Sequence, residues 1–362
     1  MMLLLFGGAL AVLLLYAGLL RWGWRRGRRP APPASSDERP PISVVVAARN
    51  ESAALPALLD ALGRQTHPEA EVVIVDDAST DDTAAIAEAW ARGRSAARVV
   101  RISDPEPPRK KRALTRGIAA ARHDLLALTD ADCRPPPEWL SVLAATHADA
   151  DEALVLAGYS PLRGAGILGT FARYEALVEA LYTTAAIGLG RPYMAVGRNL
   201  SYPRSVFDAV GGFGTAQDDA PMSGDDDLFV QAVARRGRAT VRALHDPRTV
   251  VPARAPASWR EWGRQRRRHV SAGRHYPWVV GLHLTLLPTG LVLLWLAPLV
   301  LGTTGVGLLA TGLLARHAAL GPAAAALGET DVLAAFPLWE LGYALYHVTI
   351  VPLGLWSPPD RW

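Results

Sequence analysis

Residues 1–20 carry no charged side chain and are rich in leucine, and Arg21, Arg25, Arg26, Arg28 and Arg29 follow directly. An uncharged run of that length matches the hydrocarbon thickness of a bilayer when helical. A cleaved secretory leader has the opposite order, with positive charge ahead of the apolar run. Cationic residues flanking a span stay on the cytoplasmic side, so the order predicts an external N-terminus and a cytoplasmic chain from residue 30 onward. Trp22 and Trp24 fit the aromatic belt at the membrane interface. Half of the 362 residues are hydrophobic, which fits further membrane segments. The net charge is only +4, but arginines crowd residues 21–29 and 254–274. Beside apolar runs, such stripes suit anionic lipid headgroups. No nucleic-acid-binding motif accompanies them, so nucleic acid is not an expected partner. Cys133 is the only cysteine, which excludes an internal disulfide and fits a reducing compartment.

A proline-rich stretch at 30–40 reads as an extended linker. From residue 42 the pattern becomes short buried strands (42–47, 71–75, 99–102 and 125–128) alternating with Ala- and Leu-rich helical segments such as 55–62 and 83–90. That alternation predicts an α/β, doubly wound, largely parallel sheet, with ligands beyond the carboxyl ends of its strands. The sheet pattern ends near residue 254. Residues 256–275 hold Trp259, Trp262 and many arginines and read as a basic helix on the membrane surface. Apolar runs follow at 278–301, 302–314 and 332–355, the first two separated by Gly302-Thr303-Thr304-Gly305.

Acidic clusters stand where strands are expected to end. Asn50 and Glu51 follow the first strand, and Asp76-Asp77-Ala78-Ser79-Thr80-Asp81 follows the second. Helix capping by Ser79 or Thr80, with Asp81 and Asp82 in the first turn, accounts for part of that cluster. It does not account for two adjacent aspartates ending a strand, which can accept hydrogen bonds from a base or ribose. Asp130 and Asp132 follow the fourth strand. Two carboxylates spaced this way can converge on Mg2+ or Mn2+, although the prolines at 135–137 also mark an ordinary turn. Asp225, Asp226 and Asp227 precede an apolar helical stretch, whose N-terminus favours negative charge. Successive helical residues point about 100° apart, so one or two of the three can face a common site. Lys110 lies in the basic run 109–112, and Gln265 and Arg268 in the run 265–269; each basic run also reads as a solvated face. Neither a G-x-x-x-x-G-K-[ST] nor a G-x-G-x-x-G motif after a strand is present.

Taken in order, these clusters resemble family 2 glycosyltransferases, an inverting group with the GT-A fold, over about residues 41–277. The elements are residues 44–51, 75–81 and 110–114, then Asp130-Ala131-Asp132, residues 197–202, residues 204–207 with Gly211-Gly212-Phe213, Gly224-Asp225-Asp226-Asp227-Leu228, and Gln265-x-x-Arg268. The resemblance implies a membrane helix at 1–21, a basic linker at 22–40 and a GT-A domain with a Rossmann-like mixed sheet at 41–253. An interfacial helix at 254–277 and about three membrane helices at 278–362 complete the expected plan. Asn50, Glu51 and Asp77 would line the nucleoside pocket with Asp76 beside it. Lys110 would contact the donor, and Asp130 and Asp132 would hold it through Mg2+ or Mn2+. Asp225 matches the family's catalytic aspartate, and Gly224 replaces the glutamate before it. Gln265 and Arg268, expected to bind the donor, match a Gln-x-x-Arg-Trp motif that membrane members carry on an interfacial helix by the acceptor channel, and His269 replaces the tryptophan.

The implied reaction takes a sugar from a nucleotide-diphosphate donor, UDP-linked by expectation, to a lipid or lipid-linked glycan at the cytoplasmic face of the plasma membrane. A processive polysaccharide synthase and a non-catalytic membrane scaffold are the alternatives. The altered Gln-x-x-Arg motif disfavours the first, and the full set of carboxylates disfavours the second. Expected spans at 279–301, 303–320 and 332–354 put the C-terminus outside, with Arg316 and His317 near the inner end of the third span. Glu340 and His347 share a helix face and are expected to point at protein.

Overall fold

Every residue of Ile42–Ala48 is buried, as a run of β-branched and small residues requires of a strand covered on both faces. The computed structural model describes residues 1–30, 32, 39–104, 109–214 and 224–356. Most of the expected linker, Ser223 and the tail 357–362 lie outside the described residues. In chain order, helix α1 (Met2–Gly27) leads into strand β1 (Arg28–Arg29), then β2 (Ile42–Ala48), α2 (Leu55–Gly63), β3 (Ala70–Asp77), α3 (Thr83–Ala91) and β4 (Ala97–Ile102). Next come α4 (Arg109–Ala120), β5 (Leu125–Asp130), α5 (Trp139–Ala148), β6 (Leu154–Gly158), β7 (Leu162–Arg163), α6 (Gly166–Gly188), β8 (Leu200–Pro203), α7 (Arg204–Ala209), α8 (Asp227–Arg236), β9 (Thr240–Leu244) and β10 (Ala253–Arg254). Helices α9 (Trp259–Ser271), α10 (Trp278–Leu301), α11 (Thr303–Leu327) and α12 (Phe336–Trp356) finish the described chain.

The chain divides into two compact units. One holds Arg28–Leu162 and Arg191–Arg254; the other holds Met1–Gly27, Arg163–Gly190 and the residues from Ala255 on. In the first unit, eight strands form one sheet in the order β1-β9-β6-β8-β5-β2-β3-β4. Strands β2 to β5 pair in parallel, and β8 runs antiparallel beside β5. The register opposes Ala48 to Asp76, Ala47 to Asp130 and Asp77 to Ile102. One edge of the sheet therefore collects Asp76, Asp77 and Asp130 together with the turn after β2. Leu128 opposes Leu200, so the start of the antiparallel β8 reaches the same edge. Gly117 lets α4 lie against the sheet, because a Cβ there would overlap the side chains of Val45 and Val75.

The second unit is helical. Two of its helices, α1 and α10, are long and apolar enough to cross a membrane. The first extends past the expected end at residue 21, and it carries its two tryptophans differently: Trp22 is 53% exposed and Trp24 only 2%. Trp24 is therefore a packing residue rather than an interfacial anchor. The break expected at residues 302–305 is present, with Gly302 in the left-handed region (φ 56°) between α10 and α11. The apolar run expected at 302–314 is longer than its hydropathy indicated, reaching Leu327. Arg316 lies well inside α11 instead of at an interface. It is buried and donates through Nη2 to Glu340 Oε1 at 2.8 Å and through Nη1 to the Tyr182 hydroxyl at 3.2 Å. Tyr174 donates its hydroxyl to the same carboxylate. Glu340 thus points at protein, as expected, and its partner is Arg316; His347 is half-buried and stays hydrogen-bonded to Tyr343 of its own helix.

Glycines let α1 meet α6 at backbone distance. A Cβ on Gly23 or Gly27 would overlap the carbonyls of Ala185 or Thr184, and one on Gly188 would overlap the Gly23 carbonyl. Overpacking of this kind costs about 1–3 kcal/mol. Gly27→Val is therefore expected to lower the melting temperature of detergent-purified protein by roughly 3 °C or more. Gly18→Ala, where a Cβ meets open space, should leave it unchanged or raise it. Equal tolerance of both substitutions would contradict the close α1–α6 contact.

Candidate active site

The turns after β2 and β3 are laced together. Asn50 adopts a left-handed backbone (φ 54°), which asparagine tolerates better than most residues. Its N–H donates to Ser79 Oγ at 3.0 Å, and its side-chain oxygen accepts the Thr80 N–H at 2.8 Å. Glu51 N–H donates to Thr83 Oγ1 at 2.8 Å, and Ser52 N–H to Asp81 Oδ2 at 3.1 Å. Ser79 and Thr80 therefore do not cap α3, which begins only at Thr83. The N-cap is Asp82, and the side chain before it meets the helix start, Asp81 Oδ1 accepting the Thr83 N–H at 3.0 Å. Hydrogen bonds from Ser52 and Thr83 hold the Asp81 carboxyl well below the usual carboxylate range.

Asp76 and Asp77 are both buried at the end of β3. Asp77 accepts Arg109 Nε–H at 2.9 Å, and its carbonyl accepts Nη2–H of the same guanidinium at 3.1 Å. Asp76 Oδ1 has no hydrogen-bond partner among the described residues. A buried orphan oxygen is costly, and at a sheet edge it marks a place for a ligand donor.

The three aspartates at 225–227 separate by role. Asp226 caps α8: Oδ1 accepts the Asp227 N–H, and Oδ2 accepts the Gly197 N–H, both at 2.9 Å. Asp227 Oδ1 accepts the Ala195 N–H at 3.1 Å. Both therefore fasten α8 to the segment leading into β8. Asp225 instead faces Lys110, whose Nζ lies 3.4 Å from Asp225 Oδ2 and 3.0 Å from Asp130 Oδ1. One ammonium bridges the aspartate after β5 and the aspartate before α8. Burial opposes the charge on Lys110, but Asp130, Asp225 and Asp226 outweigh it and raise its pKa.

Asp132 and Glu51 share this acidic edge. Burial and then Asp130 raise the Asp132 pKa, against the pull of Arg198. Burial, followed by Asp132 and Asp130, pushes Glu51 up to about 7, with Arg254 opposing. Among the described residues no three His, Cys, Asp or Glu side chains are arranged to hold an ion by themselves. Two carboxylate arms fit Mg2+ or Mn2+, which bind proteins through one or two carboxylates and take further ligands from substrate phosphates. Asp130 and Asp132 would be those arms, and Lys110 already shows that Asp130 accepts a cation.

Sequence reasoning missed four basic residues at this edge. Arg109 holds Asp77. Arg198, fixed by Ser160 Oγ at 2.7 Å and the Ser160 carbonyl at 2.9 Å, acts on Asp132. Arg254 acts on Glu51. Lys111 is fully buried, with no hydrogen-bond partner for Nζ among the described residues, and burial lowers its pKa against the pull of Asp225 and Asp226. Arg109, Lys111 and Arg198 lie in or beside elements already singled out, but nothing local says which carboxylate each one meets. Asn199, in the sequence element 197–202, is a buried brace. It accepts Trp139 Nε1–H at 3.0 Å and donates to the Tyr159 and Thr249 carbonyls, each at 2.8 Å. Gln265 and Arg268 belong to the helical unit, where α9 runs from an N-cap at Ser258. Gln265 Nε2 donates to Glu261 Oε1 at 3.4 Å.

Comparison with known proteins agrees with this geometry. The family model described as glycosyl transferase family 2 matches residues 43–166, and the one described as glycosyl transferase family group 2 matches residues 125–349. The "Probable glycosyltransferase YdaM" of Bacillus subtilis is 23% identical over 239 residues, 64% of this chain and 54% of that protein. An undecaprenyl-phosphate 4-deoxy-4-formamido-L-arabinose transferase of Pseudomonas fluorescens is 36% identical over 107 residues, 29% of this chain and 31% of that protein. The chain thus spans about half or less of the length of these relatives. In fold it is similar to a mannosyltransferase of Pyrobaculum calidifontis solved with GDP-Man and Mn2+: the TM-score is 0.60 at 22% identity, over 94% of this chain and 97% of that one. The mixed eight-stranded sheet is that of the GT-A fold. One family match alone covers more than half of the residues, and the chain belongs to the family 2 glycosyltransferases.

Proposed function

We propose that this enzyme transfers a sugar from a nucleoside-diphosphate donor, with inversion, to a lipid or lipid-linked acceptor at the cytoplasmic face of the membrane. The observation that carries the reading is the bridge from Asp130 through Lys110 to Asp225. It joins a donor-side carboxylate to a carboxylate free to act as a base, while Asp226 and Asp227 are committed to backbone amides. Asp225 removes the proton of the acceptor hydroxyl. The acceptor oxygen then attacks the anomeric carbon opposite the departing diphosphate, so one bond forms as the other breaks and the configuration inverts. Asp76, Asp77, Asn50 and Glu51 line the nucleoside side of the pocket, and Lys110 meets the diphosphate. A divalent cation on Asp130 and Asp132, when bound, neutralises charge on the leaving group. GDP-Man and Mn2+ in the Pyrobaculum structure support the donor class and the metal. The named substrate of the undecaprenyl-phosphate transferases supports a polyprenyl-phosphate acceptor. Helices α1 and α10 support membrane attachment, with α11 and α12 as further spans of the proposed topology.

Two outcomes test the assignment. Asp225→Asn keeps the side-chain shape but removes the proton acceptor, so turnover should fall about 10²–10⁴-fold with donor binding retained. Asp227→Ala strands the Ala195 amide and should instead cost about 1–3 kcal/mol of stability. A mild Asp225→Asn beside a severe Asp226→Asn would move the base to the neighbouring residue. Chelation with EDTA should weaken donor binding measured by calorimetry, and added Mn2+ or Mg2+ should restore it in the native enzyme but not in Asp130→Ala or Asp132→Ala. Donor affinity indifferent to EDTA would remove the metal from the account.

A further inference from the structure

Lys110 is ion-paired with Asp130 at 3.0 Å, through the same carboxylate that the proposed function gives to the metal. Its side chain is 19% exposed, and Asp225 holds it from the other side at 3.4 Å. The ammonium and a divalent cation cannot both take the Asp130 oxygen at full strength.

We propose that Lys110 is an exchangeable counter-ion that holds Asp130 in the donor-free enzyme and releases it only when diphosphate and metal arrive together. Rotation about the lysine stem passes the ammonium from Asp130 to diphosphate oxygens while its contact with Asp225 tethers it. Asp130 would then be available, with Asp132, to a divalent cation that neutralises diphosphate charge. The lysine thus makes metal binding conditional on donor binding. It also ties the base to donor occupancy, because Asp225 loses part of its partner's charge to the diphosphate only when donor is present. Lys111, next along α4, is buried and makes no ion pair with Asp130, so it does not share this role.

This inference rests on the metal reading above, and the test separates the two. Binding of Mn2+ alone to the purified full-length protein is measured by the loss of the free-ion EPR signal. Binding of UDP and of GDP is measured by calorimetry with and without Mn2+. Lys110→Met removes the competing cation and should tighten Mn2+ binding without nucleotide at least fivefold. It should also reduce the dependence of nucleotide binding on Mn2+. Lys110→Arg, which keeps the charge, should stay within twofold of the native protein, as should Arg109→Met, which removes a nearby charge that pairs with Asp77 rather than with a proposed metal ligand. Circular dichroism and melting temperature verify that each variant is folded. Unchanged or weaker Mn2+ binding by Lys110→Met, while Mn2+ still assists nucleotide binding to the native protein, overturns the counter-ion role alone. An equal gain in Arg109→Met also overturns it, because any local cation would then do. No effect of Mn2+ on either nucleotide in the native protein overturns the metal reading and this inference with it.

Discussion

Carboxylate crowding at one sheet edge is the constraint around which the catalytic unit is arranged. The parallel register carries Asp76, Asp77 and Asp130 to the same edge, and α8 adds Asp225. Oxygens of Asp130 and Asp225 flank one ammonium, so they lie within about 6 Å of each other, where two unit charges at an effective dielectric of about 20 repel by roughly 3 kcal/mol. Such repulsion is a large share of a domain's net stability. The fold meets it with cations placed among the carboxylates: Lys110 between Asp130 and Asp225, Arg109 on Asp77 and Arg198 toward Asp132.

How much of this was legible in the sequence depended on whether a residue's role is local. Residues 42–47, 71–75 and 125–128 read as buried strands from composition alone, and each strand is present with slightly longer ends. Parallel strands then force the residues after them to a common edge, so Asp76, Asp77 and Asp130 could be placed as a group. The three aspartates at 225–227 could not be sorted, because what distinguishes them is two backbone amides about thirty positions earlier, at Ala195 and Gly197. Ser79 and Thr80 looked like helix caps for the same reason: their real partner, Asn50, is distant in sequence. Arg109 and Arg198 carried no signal, since an arginine in a basic or polar run gives no hint of which carboxylate it will meet.

The helical unit shows the same division. Uncharged length was enough to identify α1 and α10, and Gly302 marked the turn between α10 and α11. Hydropathy failed at Arg316. A charged residue inside an apolar helix reads as its end, yet here the guanidinium continues the helix because Glu340 and the Tyr182 hydroxyl satisfy it. A buried pair of this kind adds little net stability over an apolar contact, but losing one partner leaves an uncompensated charge. Such a pair therefore fixes which helices adjoin more than how strongly they hold. The same unit uses glycine where α1 meets α6, so its helices are matched by both charge and shape.

Stereochemistry tests the central claim most directly. Asp225 acting as a base in a single displacement requires the anomeric configuration of the transferred sugar to invert. Purified protein would be incubated with an α-linked nucleotide sugar and membrane lipid extract, and the new glycosidic bond followed by proton NMR from the first turnovers. The account predicts a β-linked product whose formation is lost in Asp225→Asn. An α-linked product, or transfer undiminished by that substitution, would contradict it.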